Sequence, residues 1–494
     1  MMTVHLRFRC AAKACLILVP AIWTSGCIVG PDYRKPVIDV PDTFRSQISV
    51  SDATSFADLP WWSVFRDERL QGLIKTALAY NNDLKVAVAR VEQARATLAE
   101  VQSEGKPQVG YEATAGAQKS FVVQPPDSTQ GLVYGAVSGV LNVAWELDVW
   151  GRIRKASDAA QANLLGQDDV RRAVILTLVS DLATAYFQLI ELDRELAIAE
   201  ESAGVYKSTL NLFTLRFQAG RDSELPVQRA QSAYQSSAAN IQDVKRRIAE
   251  VENAISTLAG AYPGDIQRGA PLSGQSIPET PPGTTTALLE RRPDILQAEQ
   301  SMIAANADIG AAVANFFPKV GLSAFFGAQG VDASGFLSSL GIWNLAISAV
   351  GPIYTGGRLQ AQLQQRQAVW DETVAEYQQK VLVAFQETAN ALTAQQTLVP
   401  QRSALEGQVS ALRSSTDLAL TRYQAGRASY FEVLEAQQEL FPAEAQLAQT
   451  QRDQLLAVVS LYRALGGGWN AAATDEPKPV ATPAGPGGAL NSGG

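Results

Sequence analysis

The sequence contains a single histidine, His5, and three cysteines, Cys10, Cys15 and Cys27, so neither residue type occurs beyond position 27. Without an imidazole or a second thiol there, the chain cannot form a Ser-His-Asp triad, a Cys-His pair or a histidine-ligated metal site. P-loops, Gly-x-Ser-x-Gly elbows and Gly-x-Gly-x-x-Gly turns after a strand are also missing. We therefore expect neither an enzyme nor a cofactor, although a site built from carboxylates alone is left open.

Aromatic residues make up only 7% of the chain, and long stretches contain neither glycine nor proline. This composition is typical of long helices rather than of a β-sandwich or a doubly wound sheet. The formal net charge is −8, and no dense basic run follows the first residues, which argues against nucleic acid as a partner.

The N-terminus has the layout of a secretory signal peptide, with three basic residues before the apolar run 14–23 and small residues after it. The run is too short to span a membrane as a mature helix. Segment 24–27 is close to the bacterial lipobox, although Thr24 stands where leucine is usual. The alternative is a signal peptide with a chance cysteine near its end. Because Cys27 would be the one thiol of the mature chain, acylation at this position explains it better and predicts a lipid anchor.

The chain contains two copies of one unit. Arg216-Phe-Gln-Ala-Gly-Arg221 recurs as Arg422-Tyr-Gln-Ala-Gly-Arg427 at an offset of 206, and Pro107-Gln-Val-Gly110 recurs as Pro318-Lys-Val-Gly321 at an offset of 211. Several landmarks keep the same order and nearly the same spacing. We therefore predict two structural repeats.

Each copy predicts a helix, a β-hairpin, a very long helix, a turn and a returning helix. In the first copy the first helix is predicted over 70–104, and a loop is predicted around 123–130 between the two strands. The strands alternate apolar residues with small or polar ones for about ten positions, which suits a transmembrane β-barrel. An ordinary hairpin packed on a soluble core is the alternative.

The long helices are predicted over 153–216 and 359–423, which contain only two potential helix breakers each. A helix of about 65 residues is roughly 100 Å long at 1.5 Å per residue, which is enough to cross a periplasm. Apolar residues recur at spacings of three and four, which predicts antiparallel coiled-coil packing. In the first copy they include Leu182, Ala185, Leu189, Leu192, Leu196, Ala199 and Ala203.

Two hairpins give four strands, which cannot close a membrane barrel. Several protomers must therefore share one barrel. Three copies give twelve strands, and a dimer with eight strands also closes, so the number of copies stays open at this point.

Four segments resemble the efflux outer-membrane lipoproteins of the NodT and OprM type, relatives of TolC. They are Cys27-Ile-Val-Gly-Pro-Asp-Tyr-Arg-Lys-Pro36, Trp145-Glu-Leu-Asp-Val-Trp-Gly-Arg152, Arg422-Tyr-Gln-Ala-Gly426 and Leu465-Gly-Gly-Gly-Trp469. The resemblance covers nearly all of the mature chain. It implies a homotrimer with a twelve-stranded β-barrel, a long antiparallel coiled-coil α-barrel in the periplasm and an equatorial region. It also implies a periplasmic adaptor protein and, through it, a proton-driven RND-type pump in the inner membrane.

The turns Gln218-Ala219-Gly220-Arg221 and Gln424-Ala425-Gly426-Arg427 should form the periplasmic tips, because glycine readily ends a helix in the left-handed conformation. The resemblance implies that adaptor hairpins engage there. The plainer interpretation is a good helix turn, and both can hold.

Glu432 and Glu435 match positions where the family carries gate-forming acidic residues, here with glutamate in place of aspartate. In a trimer each would form a ring of three carboxylates, which selects cations, and Phe431 would add an apolar constriction. The alternative for Glu435 is a solvated helix face.

The predicted division is a signal peptide (1–26), a lipid-anchored segment (27–66), repeat one (67–262), an equatorial linker (263–286), repeat two (287–469) and a disordered tail (470–494). The resulting hypothesis is a passive, outer-membrane exit duct for drugs or other small toxic molecules. The alternatives are the outer channel of a type I protein-secretion system and a surface lipoprotein without a pore. The exported substrate is not predicted.

Overall fold

The computed structural model describes residues 28–45, 58–124, 128–278, 281, 285–330 and 340–467. In chain order the elements are α1 (Trp61–Val64), α2 (Glu68–Tyr80), α3 (Asn82–Ser103), β1 (Gln108–Gln124), β2 (Ser128–Leu147), α4 (Arg152–Gln218), α5 (Glu224–Leu258), a 3₁₀ turn (Leu272–Gly274), α6 (Thr285–Arg291), α7 (Pro293–Ala314), β3 (Lys319–Gly330), β4 (Leu340–Val350), α8 (Arg358–Gln424) and α9 (Tyr430–Ala464).

The two predicted repeats are present as matching elements. The long helices α4 and α8 each have 67 residues, and the returning helices α5 and α9 each have 35. Helices α3 and α7 each have 22 residues. The prediction of two very long helices is confirmed, and α8 accommodates Pro400 without a break.

The prediction of one continuous helix over 70–104 was wrong, because the chain breaks at Asn81. Its backbone is extended, at φ −59° and ψ 133°. The Asn81 side chain accepts a hydrogen bond from the Leu84 N–H (2.9 Å) and donates one to the Leu258 carbonyl (3.0 Å), so it caps α3 and fastens it to the end of α5. Repeat two breaks at the equivalent place, between α6 and α7, where Pro293 disfavours helical backbone in the residue before it.

The four strands form one antiparallel sheet in the order β1-β2-β3-β4. The predicted loop at 123–130 is shorter than expected, because β1 and β2 stay paired up to Gln124 and Ser128. The connecting residues 125–127 lie outside the described part of the chain. Within the described sheet, β1 and β4 each pair on one side only, so the sheet has two open edges.

The register aligns side chains of one kind on each face of the sheet. Tyr111 lies opposite Leu141, Leu141 opposite Phe326, and Phe326 opposite Trp343, and all four side chains are more than half exposed. This face is apolar across all four strands. The opposite face carries mostly polar or small residues, which is the pattern of a strand with lipid on one side and water on the other.

The chain divides into two compact units, and both contain parts of each repeat. The described residues of 1–37, 90–168 and 297–378 form the unit that includes the sheet, and those of 38–89, 169–296 and 379–494 form an entirely helical unit. In the part of the chain that is described, α4 is the one helix apolar and long enough to pass as a membrane span, and half of its apolar window is buried. That burial fits a role in the helical core.

The core of the helical unit contains α4 residues that the coiled-coil pattern singled out. Leu182, Leu189 and Leu192 are fully buried, together with Tyr186. Tyr462 of α9 is nearly as deeply buried, and its hydroxyl donates to the Leu59 carbonyl at 2.9 Å. Helices from both repeats therefore share one apolar core.

The same unit buries a carboxylate. Glu191 of α4 is 0% exposed, and its Oε2 accepts from Arg452 Nη1 of α9 at 3.1 Å. Among the described side chains, Glu191 Oε1 is a buried oxygen without a hydrogen-bond partner. Burial raises the pKa of Glu191, and the positive charge of Arg452 offsets this only in part.

A buried aspartate attaches the segment between the repeats to the helical unit. Asp67 accepts from the Ala270 N–H at 3.1 Å and from Gln275 Nε2 at 2.9 Å, and it also caps α2 through the Arg69 and Leu70 N–H groups. Burial tends to raise the pKa of Asp67, but these hydrogen bonds outweigh it and hold the pKa below its usual value.

The N-terminal strap, residues 28–37, lies along the sheet-containing unit. Lys35 Nζ pairs with Glu299 at 2.7 Å, and Asn306 donates to the Pro31 carbonyl at 3.2 Å. Gly30 (φ 115°) approaches Gly310 so closely that a Cβ on Gly30 would lie 2.5 Å from the Gly310 Cα. The two glycines therefore allow the strap to seat on α7.

Candidate functional site: the two helical tips

Both predicted turns have the expected left-handed glycine. Gly220 has a φ of 67° and Gly426 a φ of 68°. In each turn the residue after the glycine donates its N–H five residues back, from Arg221 to the Arg216 carbonyl and from Arg427 to the Arg422 carbonyl, both at 2.9 Å. This Schellman arrangement ends the long helix and satisfies one of its last carbonyls.

All eight predicted tip residues are exposed in the single chain. Gln218 and Gln424 end the long helices, and the next three residues of each turn lead into the returning helix. The structure thus presents two similar polar loops, one per repeat, with the backbone held by its own hydrogen bonds. Such loops can contact another protein without first becoming ordered.

An aromatic cluster links the two hairpins just behind the tips. The Phe213 ring of α4 contacts the Tyr430 ring of α9 edge-on, with the ring centroids 4.3 Å apart. The Tyr423 ring of α8 has its centroid 5.9 Å from that of Tyr430. Burial raises the pKa of Tyr430 to about 12, so its hydroxyl is protonated at physiological pH. This cluster was not predictable from the sequence, because its rings come from three helices.

The two turns differ in the acidic partner of the equivalent arginines Arg216 and Arg422. Arg216 pairs with Asp222 of its own turn at 2.5 Å. The second turn has Ala428 where the first has Asp222, and Arg422 instead pairs with Glu432 at 3.6 Å. Glu432 lies in the first turn of α9, where the helix dipole favours a negative charge.

The other two predicted gate residues face solvent in the single chain. Phe431 is 55% exposed, and Glu435 is exposed one turn further along α9. The Arg229 guanidinium of α5 lies over the Phe431 ring at 5.6 Å, which is a cation–π contact between the two repeats. The internal repeat places Arg229 at the position equivalent to Glu435, so a difference between the repeats was predictable here but the cation–π contact was not.

A groove of about 590 Å³ lies next to this contact, between α5 and α9. It is lined mainly by hydroxyl and amide side chains, with an aromatic wall. Its lining includes Ser202, Tyr206, Ser236, Asn240, Gln438 and Phe441.

No group of three or more histidine, cysteine, aspartate or glutamate side chains that could hold a metal ion occurs among the described residues. The predicted lipid anchor at Cys27, the signal peptide, the tail 470–494 and Trp469 all lie outside those residues. The arrangement at the tips is one of exposed loops and charges. It offers exposed polar surfaces for contact with another protein.

Comparison with known proteins shows the family to which this fold belongs. The model of a family described as outer membrane efflux protein matches residues 73–261 and 285–467. The chain is 32% identical over 454 residues to the cation efflux system protein CusC of Escherichia coli O6:H1, covering 91% of this chain and 97% of that protein. It is 34% identical over 452 residues to the toluene efflux pump outer membrane protein TtgI of Pseudomonas putida, covering 90% and 96%.

A solved structure of an outer membrane channel is also similar to this chain. The open state of the Neisseria gonorrhoeae MtrE outer membrane channel superposes with a TM-score of 0.80 at 30% identity, covering 90% of this chain and 98% of that one. The fold predicted from the sequence, long helices with strands of an outer-membrane channel, is thereby confirmed. The chain belongs to the outer membrane efflux protein family.

Proposed function

We propose that this chain is the outer-membrane exit duct of a tripartite efflux system, exporting drugs or other small toxic molecules passively. The observation that carries the proposal is the sheet, with one face apolar across all four strands, joined directly to helices of 67 residues. The sheet is long enough to cross a bilayer, and each helix has a length of about 100 Å. Its relatives CusC and TtgI are named for the efflux of cations and of toluene.

The two open sheet edges support a homotrimer. In a bilayer an unpaired strand edge is too costly, so β4 of one protomer must pair with β1 of the next until the ring closes. Three copies give a barrel of twelve strands, and threefold closure fits the family resemblance. The domain boundaries predicted from the sequence belong to this proposal, with the residues around 263–286 forming the equatorial region.

Particle imaging of the mature protein, extracted from outer membranes in mild detergent, tests the assembly. We expect a threefold particle about 140 Å long, from roughly 100 Å of helix and 40 Å of barrel and headgroup depth. A compact monomer, or a fibre without a membrane-width band, contradicts the duct. A twofold particle contradicts the stoichiometry alone.

The partners in the proposal are a periplasmic adaptor, which contacts the tips at 218–221 and 424–427, and an inner-membrane RND-type pump, which it reaches through the adaptor. Exposed polar loops on rigid helical hairpins support adaptor docking. The energy and most of the substrate selection come from the pump. The chain itself performs no chemistry, in keeping with the lack of histidine and thiol beyond position 27.

A lipid anchor at Cys27 supplements the barrel. The neighbouring Ile28 packs against Gly151, between the end of β2 and the start of α4, and the Val29 N–H donates to the Trp150 carbonyl at 3.2 Å. These two contacts support an anchor near the strand–helix boundary, where lipid headgroups would meet water. Acyl chains on Cys27 could then enter the adjacent leaflet.

Cells grown with radiolabelled palmitate should incorporate label into the full-length protein and not into a Cys27→Ala variant. The physical reason is that the thiol is the acylation site. A Cys15→Ala variant is the matched control and should label like the wild type. Equal labelling of the Cys27→Ala variant, or no labelling of the wild type, contradicts the anchor without affecting the duct.

A further inference from the structure

The described part of the polar face of the sheet contains an apolar patch. Among the described side chains of this face, and apart from Val350 at the strand end, the large apolar residues are Val140, Phe325 and Ile342. They come from three different strands. The register nevertheless brings them together around one backbone position, Gly327.

Gly327 forms the floor of this patch. It pairs with Val140 of β2 on one side and with Ile342 of β4 on the other. A Cβ at Gly327 would lie 2.1 Å from the Gly139 carbonyl oxygen, so no side chain fits there. Val140 and Ile342 therefore flank a bare stretch of backbone, and Phe325 lies on the same face two residues along the strand. The result is a shallow apolar depression.

The surroundings of the depression are polar. Asn142 and Asn344 are the cross-strand partners of Phe325, and Glu112 is the partner of Val140 on the next strand. Phe325 is itself 38% exposed. An aromatic ring with apolar flanks, amides beside it and a carboxylate two strands from the ring, next to Val140, favours a flat apolar molecule that carries positive charge.

We propose that Phe325, Val140 and Ile342 form a binding station for aromatic cations on the inner wall of the barrel, one in each protomer. The inference rests on the proposed function, because this face lines the export path only when the sheet closes into a duct. The station lies within the strands, far along the chain from the tips, and adds an apolar contact for cargo to a face whose described side chains are mostly polar or small.

The test uses the purified full-length protein in planar bilayers, with ethidium added on the barrel side and tetraethylammonium as an aliphatic cation. We expect ethidium to interrupt the ionic current of the wild type, with residence times shortened about two- to twelvefold in Phe325→Ala, the factor that corresponds to about 0.5–1.5 kcal/mol for one aromatic contact. The residence time of tetraethylammonium should be the same in Phe325→Ala as in the wild type. Ser323→Ala, on the same face of the same strand, is the matched control and should behave like the wild type.

The outcomes separate this proposal from the duct itself. An absence of wild-type channels contradicts the proposed function. Channels in which ethidium residence is the same in wild type and Phe325→Ala contradict the station alone, as does an equal change in Ser323→Ala. Phe325→Tyr, which keeps the ring, should retain the long ethidium residence, and its loss there would also count against ring stacking.

Discussion

Replacing Glu432 and Glu435 together with alanine is expected to raise the single-channel conductance several-fold and to admit large antibiotics past the proposed gate. The double substitution removes six carboxylates from a trimer. It also frees Arg422, which pairs with Glu432 at 3.6 Å. Without that pair, the second tip loses a contact between the end of α8 and the start of α9. We infer that the aperture loosens as a result.

Stability should change little in the same variant, because an exposed ion pair contributes only about 0.2–1 kcal/mol. Conductance in planar bilayers and growth inhibition by a bulky antibiotic are the measurements. Glu224→Ala is the matched control, since Glu224 is an exposed acid in the first turn of the other returning helix. Unchanged conductance and unchanged antibiotic entry in the double variant contradict the gate.

Replacing Arg452 with alanine is expected to destabilise the helical unit by about 3–5 kcal/mol, the usual effect of removing one partner from a buried ion pair. Glu191 is 0% exposed and keeps Arg452 as its hydrogen-bonding cation. Thermal unfolding in mild detergent measures the loss. The matched control is Arg463→Ala, which breaks a half-exposed pair with Asp181 between the same two helices and should cost under about 1 kcal/mol.

The pH dependence of that variant gives a second check. Burial raises the pKa of Glu191 above its unfolded value, and removing Arg452 raises it further. The folded state then holds a proton that the unfolded state has lost, so the stability of Arg452→Ala should fall as the pH rises from the unfolded pKa through the raised folded pKa. Adding Glu191→Gln should abolish that slope and restore much of the stability. A slope that persists in the double variant contradicts this assignment.

The large features of the fold were predictable because they are local. A stretch with few glycines or prolines and with apolar residues at spacings of three and four predicts a long helix whatever surrounds it. The two tip glycines likewise predict the turns. The break at Asn81 was missed because asparagine is tolerated inside helices, and the bond from its side chain to the Leu258 carbonyl joins residues 177 positions apart. Pro293, at the equivalent place in repeat two, was the signal that could have predicted it.

The rest depends on contacts between residues far apart in the chain. Glu191 and Arg452 are separated by 261 residues, and no local pattern pairs them. The aromatic cluster behind the tips and the apolar patch around Gly327 likewise need the helix packing and the strand register. The proposed roles of the tips and the gate carboxylates came from the family resemblance, and they stay predictions.

The N-terminal strap has a consequence for biosynthesis. A secreted chain enters the periplasm from its N-terminus, so Lys35 emerges long before Glu299, its partner 264 residues later. Until α7 has arrived and folded, Gly30 has no Gly310 to pack on. The contacts between the strap and α7 therefore form late and slowly, because closing a long loop costs conformational entropy. Under the proposed export, the segment that enters the periplasm first becomes ordered among the last, and during that interval it is open to proteases and to the enzymes that would acylate the proposed anchor at Cys27.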